Sequence, residues 1–288
     1  MLAEGARIGV VAPSGIFQPE RLMAGLQLIR SWGYEPIEGP NLHRRHRFTA
    51  GTVAQRTADL SWALTDPDVD AVWFARGGYG TVHTLDGLPW DDLDGRPVIG
   101  FSDATALFCA MSRVGVPGAV HGPVLHSLIP GSNDTTLEAL RVLLANGSAS
   151  FLPGQLLCGP THEVNGRVIG GNLCMLASMA GTPWAVQGAG AILVLEDVGE
   201  PPYKIHRMLT QLRLSGAFDG VAGIALGSFT HTRMPEGADW TLEDMFVDVL
   251  APLRVPVICG LPVGHGEDNH PWCHGAEGTL TERGLHVG

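Results

Sequence analysis

"PVIGFSDATALFCAMSRVG", residues 97–115, runs from an apolar strand-like stretch into a helical one. The apolar run Val98–Phe101 stops at Ser102–Asp103, and the helical pattern that follows ends at Gly115. A strand passing directly into a helix is the repeating unit of an α/β sheet. Ser102 has two readings at this junction. It is an ordinary helix N-cap, or a nucleophile held on a sharp strand-to-helix turn, with the next backbone N–H, that of Asp103, helping to form an oxyanion hole. Residues 100–104 read G-F-S-D-A rather than G-x-S-x-G, so the stretch alone leaves both readings open.

The flanking chain repeats the alternation. "RIGVVAPSG" (7–15) is a β-branched run ending at Pro and Gly, and "PERLMAGLQLIRSWG" (19–33) places Leu22, Leu26, Ile29 and Trp32 near helical spacing. "TVAQRTADLSWALTD" (52–66) reads as helix, "VDAVWFARGGYG" (69–80) as strand and glycine turn. Strands alternating with helices imply parallel pairing through right-handed crossovers, and ligands of such sheets collect at the strands' carboxyl ends. Residues 12–15, 76–80 and 102–103 all fall at such ends.

Residues 146–165 lose this pattern and read as a linker between an N-terminal domain, 1–145, and a C-terminal domain, 166–288. Strands come closer together in the second domain ("GRVIGG", "GAILVLEDV", "VAGIALGSF", "VPVICGLPVG"), with "NLCMLASMAG" and "YKIHRMLTQLRLSG" as helices. The expected fold is therefore α/β throughout, the second domain smaller and richer in strand.

With 288 residues, two domains of roughly 150 residues each are expected. Hydrophobic residues at 45% against 16% charged support large cores and exclude a disordered chain. A net charge of −11 disfavours nucleic acid or an anionic membrane as a partner. The five cysteines are scattered without a C-x-x-C pair and read as free thiols in a reducing compartment. Glu4 and Pro13 spoil a signal peptide, and no stretch has the ~18 apolar residues of a membrane span. A cytoplasmic protein is expected.

Three further stretches carry chemistry-bearing residues. "ARGGYGT" (75–81) fits neither G-x-G-x-x-G nor a P-loop, but its glycines allow close backbone approach and exposed N–H donors; a plain turn is the simpler reading. "AILVLEDVGEPPYKIHR" (191–207) ends a strand at Glu196–Asp197, acids that are either solvated or placed to orient a histidine. "GLPVGHGEDNHPWCHG" (260–275) gathers His265, His270, His274 and Cys273. Zinc must be weighed there, but no ligand spacing stands out, and His265, between two glycines after an apolar run, is better placed as a general base. The order Ser102, Glu196, His265 is that of α/β-hydrolase triads, although any long chain contains such triples.

These blocks, with "HGP" (121–123), "GRVIGGNLCMLASMAGTP" (166–183) and "LVLEDVGEPPYKIHRMLTQL" (193–212), resemble the LD-carboxypeptidases, serine peptidases of the muropeptide and microcin-immunity type. The resemblance spans the chain with the blocks in the family's order. It implies a Rossmann-like N-terminal domain with a parallel sheet and a β-rich C-terminal domain. Ser102 is then the nucleophile, Glu196 and His265 its carboxylate and base, and the N–H groups of Gly78 and Asp103 the oxyanion hole. Arg76, beside Gly77 and Tyr79, becomes a candidate to bind the substrate carboxylate, with a surface ion pair as the alternative. No metal or cofactor is implied. The partner is a small peptide, a muropeptide or a peptide–nucleotide conjugate, and a homodimer is common in the family. For the conjugate, Trp73, Trp90, Trp184 and Trp272 are available to stack on a base. A reading from another class is a non-catalytic two-lobed binding protein, for which all three of Ser102, Glu196 and His265 would be superfluous. Two stretches stay unassigned: the basic, His-rich 41–50 and the polar loop after His265.

Overall fold

The computed structural model describes residues 2–128, 131, 133–147 and 150–288. The chain forms two compact units, Met1–Ser148 and Ala149–Gly288.

The first unit contains β1 (Arg7–Val11), α1 (Pro19–Ser31), β2 (Glu35–Glu38), α2 (Val53–Thr65), β3 (Ala71–Phe74), β4 (Val98–Gly100), α3 (Thr105–Val114), β5 (Ala119–His121) and α4 (Asp134–Asn146). Its strands lie in the order β5-β4-β3-β1-β2, every pair parallel. Covered on both faces, a parallel sheet needs continuous apolar strands, and all four residues of β3 are buried. Trp73 keeps its indole N–H satisfied on the Pro123 carbonyl at 2.9 Å. The helices start and stop for local reasons. Thr52 and Gln55 form a capping box on α2, and α3 ends on Gly115 in the left-handed conformation, φ 77°. Strand order reverses between β1 and β3, so the crevice typical of a doubly wound sheet opens at the ends of these two strands, where residues 12–15 and 75–80 leave them.

The second unit contains β6 (Ser150–Pro153), β7 (Gln155–Cys158), β8 (Val164–Asn172), α5 (Leu173–Ser178), β9 (Ala191–Val198), α6 (Pro202–Leu214), β10 (Gly223–Thr230), α7 (Leu242–Leu250), β11 (Val257–Cys259), the two-residue β12 (Trp272–Cys273), β13 (Glu277–Thr281) and β14 (Gly284–Val287). Eight strands form one mixed sheet, β6-β14-β13-β8-β9-β10-β11-β7. Its centre, β8 to β11, is parallel; both flanks are antiparallel. Val168, Ile192, Val194, Ala225, Ile258 and Leu280 pack into its core.

Residues 146–165, expected as a linker, differ from that expectation. They carry β6, β7 and the start of β8. β6 and β7 are the two edges of the sheet, and their partners β14 and β11 are far along the chain. Such pairing leaves little trace in a local apolar pattern. Among the described residues, no helix is long and apolar enough to cross a membrane.

Candidate active site

Ser102 sits where β4 gives way to helix. Phe101 is still extended at φ −155°, a 3₁₀ turn occupies Ser102–Ala104, and α3 follows. Ser102 itself has φ +62°, in the left-handed region. That conformation costs a non-glycine residue roughly 1–2 kcal/mol, and such strain concentrates at functional sites. The N-cap reading of Ser102 is not met. The cap position of the 3₁₀ turn is Phe101 and that of α3 is Ala104, neither with a side-chain bond. The left-handed backbone turns the hydroxyl out of the capping arrangement.

The glycine loop leaves room for it. A Cβ on Gly77 would stand 3.0 Å from Ser102 Cβ and 3.1 Å from its Oγ. A Cβ on Gly78, at φ +119°, would stand 3.1 Å from the Cα of Gly15, and the Gly15 N–H donates to the Gly77 carbonyl at 3.1 Å. Gly77 has no positive φ, so Gly77→Ala tests the contact with Ser102 without added backbone strain. We expect kcat/KM to fall about 10²-fold through misplacement of the hydroxyl, with the thermal midpoint nearly unchanged; wild-type turnover in a steady-state assay would remove Gly77 from the site.

Beneath this turn Asp103 is fully buried. Its Oδ2 accepts from Ser14 Oγ at 2.6 Å and from the Thr81 N–H at 2.8 Å, so one carboxylate ties together the ends of β1, β3 and β4. Arg56, also buried, donates to the carbonyls of Gly51 at 3.2 Å, Gly80 at 2.7 Å and Pro13. Burial draws its pKa down, and the Asp103 charge opposes that shift.

In the second unit Glu196 lies near the end of β9, 0% exposed. Its Oε2 accepts from His265 Nδ1 at 2.7 Å. Burial disfavours the imidazolium, but the hydrogen bond to Glu196 and the charges of Glu196 and Asp197 outweigh it, so the His265 pKa is raised. The close approach depends on Gly264, at φ +110°, where a Cβ would lie 2.5 Å from Glu196 Oε2. The Gly264 N–H donates to Asn269 Oδ1 at 2.9 Å, and Thr230 Oγ1 donates to the His265 carbonyl at 3.2 Å, which fixes the turn.

Successive strand residues face opposite ways, so Asp197 has a different task. It accepts from Asn172 Nδ2, the Cys174 N–H and the Val198 N–H at 3.2, 3.0 and 2.8 Å, and burial pushes its pKa up to about 6.

Ser102 and Gly77 meet within the first unit, as do Glu196 and His265 within the second. Arg76 is exposed and donates to the Ile16 carbonyl, bracing the loop after β1. Tyr79 is 48% exposed and its hydroxyl meets His83 Nε2 at 3.1 Å. His274 is buried, accepts the Gly170 N–H at 3.1 Å, and has its pKa lowered to about 3 by burial and by Arg167. Trp73 and Trp272 are fully buried and cannot stack on a ligand; Trp90 and Trp184 are partly exposed. All five cysteines are free. Sequence reasoning missed Ser14, Arg56, Thr81 and Asn269, none of which stands in a recognisable spacing.

A doubly wound parallel unit followed by a mixed-sheet unit is a two-domain α/β architecture. Residues 8–122 match the LD-carboxypeptidase N-terminal domain and residues 165–280 the LD-carboxypeptidase C-terminal domain. The chain belongs to the LD-carboxypeptidase family, and is a hydrolase of peptide bonds. Murein tetrapeptide carboxypeptidase of Pseudomonas aeruginosa is 41% identical over 286 residues, 95% of this chain and 92% of that protein. Microcin C7 self-immunity protein MccF of Escherichia coli is 26% identical over 94% of this chain and 88% of its own. The crystal structure of muramoyltetrapeptide carboxypeptidase from Oxalobacter formigenes superposes with a TM-score of 0.86 at 29% identity, covering 98% of this chain and 99% of that one.

Proposed function

We propose that the chain is a serine LD-carboxypeptidase that removes the terminal D-amino acid from cell-wall tetrapeptides. The observation that carries the reading is the 2.7 Å contact between Glu196 and His265. A carboxylate on Nδ1 holds the proton there and leaves Nε2 as the base. In this mechanism His265 takes the Ser102 proton as Oγ attacks the scissile carbonyl, and Glu196 stabilises the imidazolium. The N–H groups of Gly78 and Asp103 receive the oxyanion, one well-placed donor contributing ~3–4 kcal/mol. His265 then protonates the leaving amine, and water cleaves the acyl-enzyme. The tetrapeptide as substrate is supported by the name of the Pseudomonas relative. Five free thiols suit a reducing compartment, and a cytoplasmic location fits this reading.

Purified enzyme is expected to release D-Ala from L-Ala-D-Glu-meso-diaminopimelate-D-Ala, and nothing from the terminal L-Ala isomer, by mass spectrometry. Equal release from both isomers would defeat the stereochemical assignment. The similarity to MccF favours a second reading, hydrolysis of peptidyl-nucleotide conjugates; cleavage of these and not of the tetrapeptide would select it.

A further inference from the structure

The segment 41–50 has no part in the chemistry above, yet it is bound to the loops that carry it. His46 and Thr49 exchange backbone hydrogen bonds at 2.9 and 3.0 Å, closing a tight turn. Thr49 bridges to Gly15, and the Ala50 N–H donates to the Ser14 carbonyl at 3.0 Å. The Phe48 ring lies 6.1 Å from the ring of Tyr79, in the glycine loop. The turn is therefore built onto the ends of β1 and β3, beside the crevice where Gly77 meets Ser102.

Residues 43–48 are all exposed. His43 is occupied by Glu38, Nε2 to Oε2 at 2.7 Å. The guanidinium groups of Arg44, Arg45 and Arg47 make no ion pair or hydrogen bond among the described residues. Three uncompensated cations within four positions are unexpected in a chain of net charge −11. Arg47 adopts φ +55°, a conformation that Gly or Asn would hold at less cost, and no bond within the turn uses its side chain.

We propose that Arg44, Arg45 and Arg47 are specificity residues, binding carboxylates of an acidic peptide substrate away from the scissile bond, beside the apolar ledge of Phe48 and Tyr79. The proposal rests on the reading of Ser102 as the reacting group. A small acidic peptide suits the patch, since guanidinium pairs with carboxylates in two-point geometry, whereas a long polyanion would meet the repulsion of the whole chain.

The test compares kcat/KM for the tetrapeptide with that for the same peptide amidated at its two carboxylates outside the chain, those of D-glutamate and diaminopimelate. Wild type is expected to prefer the acidic peptide about 30-fold at low salt, a few-fold from each exposed charge contact. The preference should shrink at high ionic strength. In R44Q/R45Q/R47Q, whose fold circular dichroism would verify, the ratio should fall to within about threefold. An unchanged ratio in that variant, or a wild-type ratio near one, overturns the proposal while Ser102-dependent hydrolysis continues. Should wild type hydrolyse neither peptide, the tetrapeptide as substrate fails separately. Calorimetric titration of both peptides into the Ser102→Ala protein, with and without the three Gln changes, then decides. Discrimination lost with the arginines upholds the inference; equal affinities refute it.

Discussion

Ser102→Ala should fold like wild type and lose hydrolysis by about 10⁴- to 10⁶-fold, the range for removal of a serine nucleophile whose base and oxyanion donors survive. The structural cost should be small, because the Ser102 side chain caps neither the 3₁₀ turn nor α3, and the strained backbone at φ +62° is common to both residues. Ser102→Gly sharpens the contrast. Glycine adopts this φ freely, so the variant should be about 1 kcal/mol more stable than Ser102→Ala and equally inactive. Calorimetric melting and mass-spectrometric turnover measure the two effects separately. Near wild-type turnover in either variant would end the serine mechanism.

Glu196→Gln is expected to cost about 10³- to 10⁴-fold in kcat/KM, because an amide no longer enforces the tautomer with the proton on Nδ1. Its pH profile should also move. The base must be neutral, so activity in wild type rises with pH through the His265 pKa, which lies above 6.5. Removing Glu196 leaves burial, which lowers that pKa, opposed only by Asp197, and the acid limb should shift to lower pH. Stability follows the same linkage. A histidine whose folded pKa is raised stabilises fully below its unfolded value of 6.5 and loses that contribution as pH rises through the folded value. The deficit in melting temperature of Glu196→Gln should therefore be larger at pH 6 than at pH 9. A limb that stays in place would separate Glu196 from the base.

Much of this was legible in the sequence, for physical reasons. Buried parallel strands must be apolar along their length, so β1, β3, β4, β9 and β10 were readable as runs broken by Gly, Pro or acid. The resemblance singled out Ser102, just past β4, Glu196, within β9, and His265, in the loop after β11; the residues alone left each with a bland alternative. Strand order was not readable, since pairing joins residues far apart in the chain. The edge strands β6 and β7 are partly exposed and carry no continuous apolar run. Nor could the sequence divide the work of Glu196 and Asp197. Ile192–Leu195 are buried on both faces of the sheet, so alternation in burial does not mark which acid turns toward His265. Ser14 and Thr81 look like ordinary loop residues; only folding brings them to Asp103, 89 and 22 positions away.

Arg56 makes one mechanical body of three loops. Its guanidinium holds carbonyls before α2, after β1 and after β3, and a buried charge that loses its acceptors has nothing to replace them. Opening any one loop therefore weakens the hold on the other two, and thermal fluctuations at this end of the sheet become concerted. Gly15 and the glycine loop are then held in register by this cation together with the Asp103 carboxylate and the direct Gly15–Gly77 backbone bond, without any covalent cross-link.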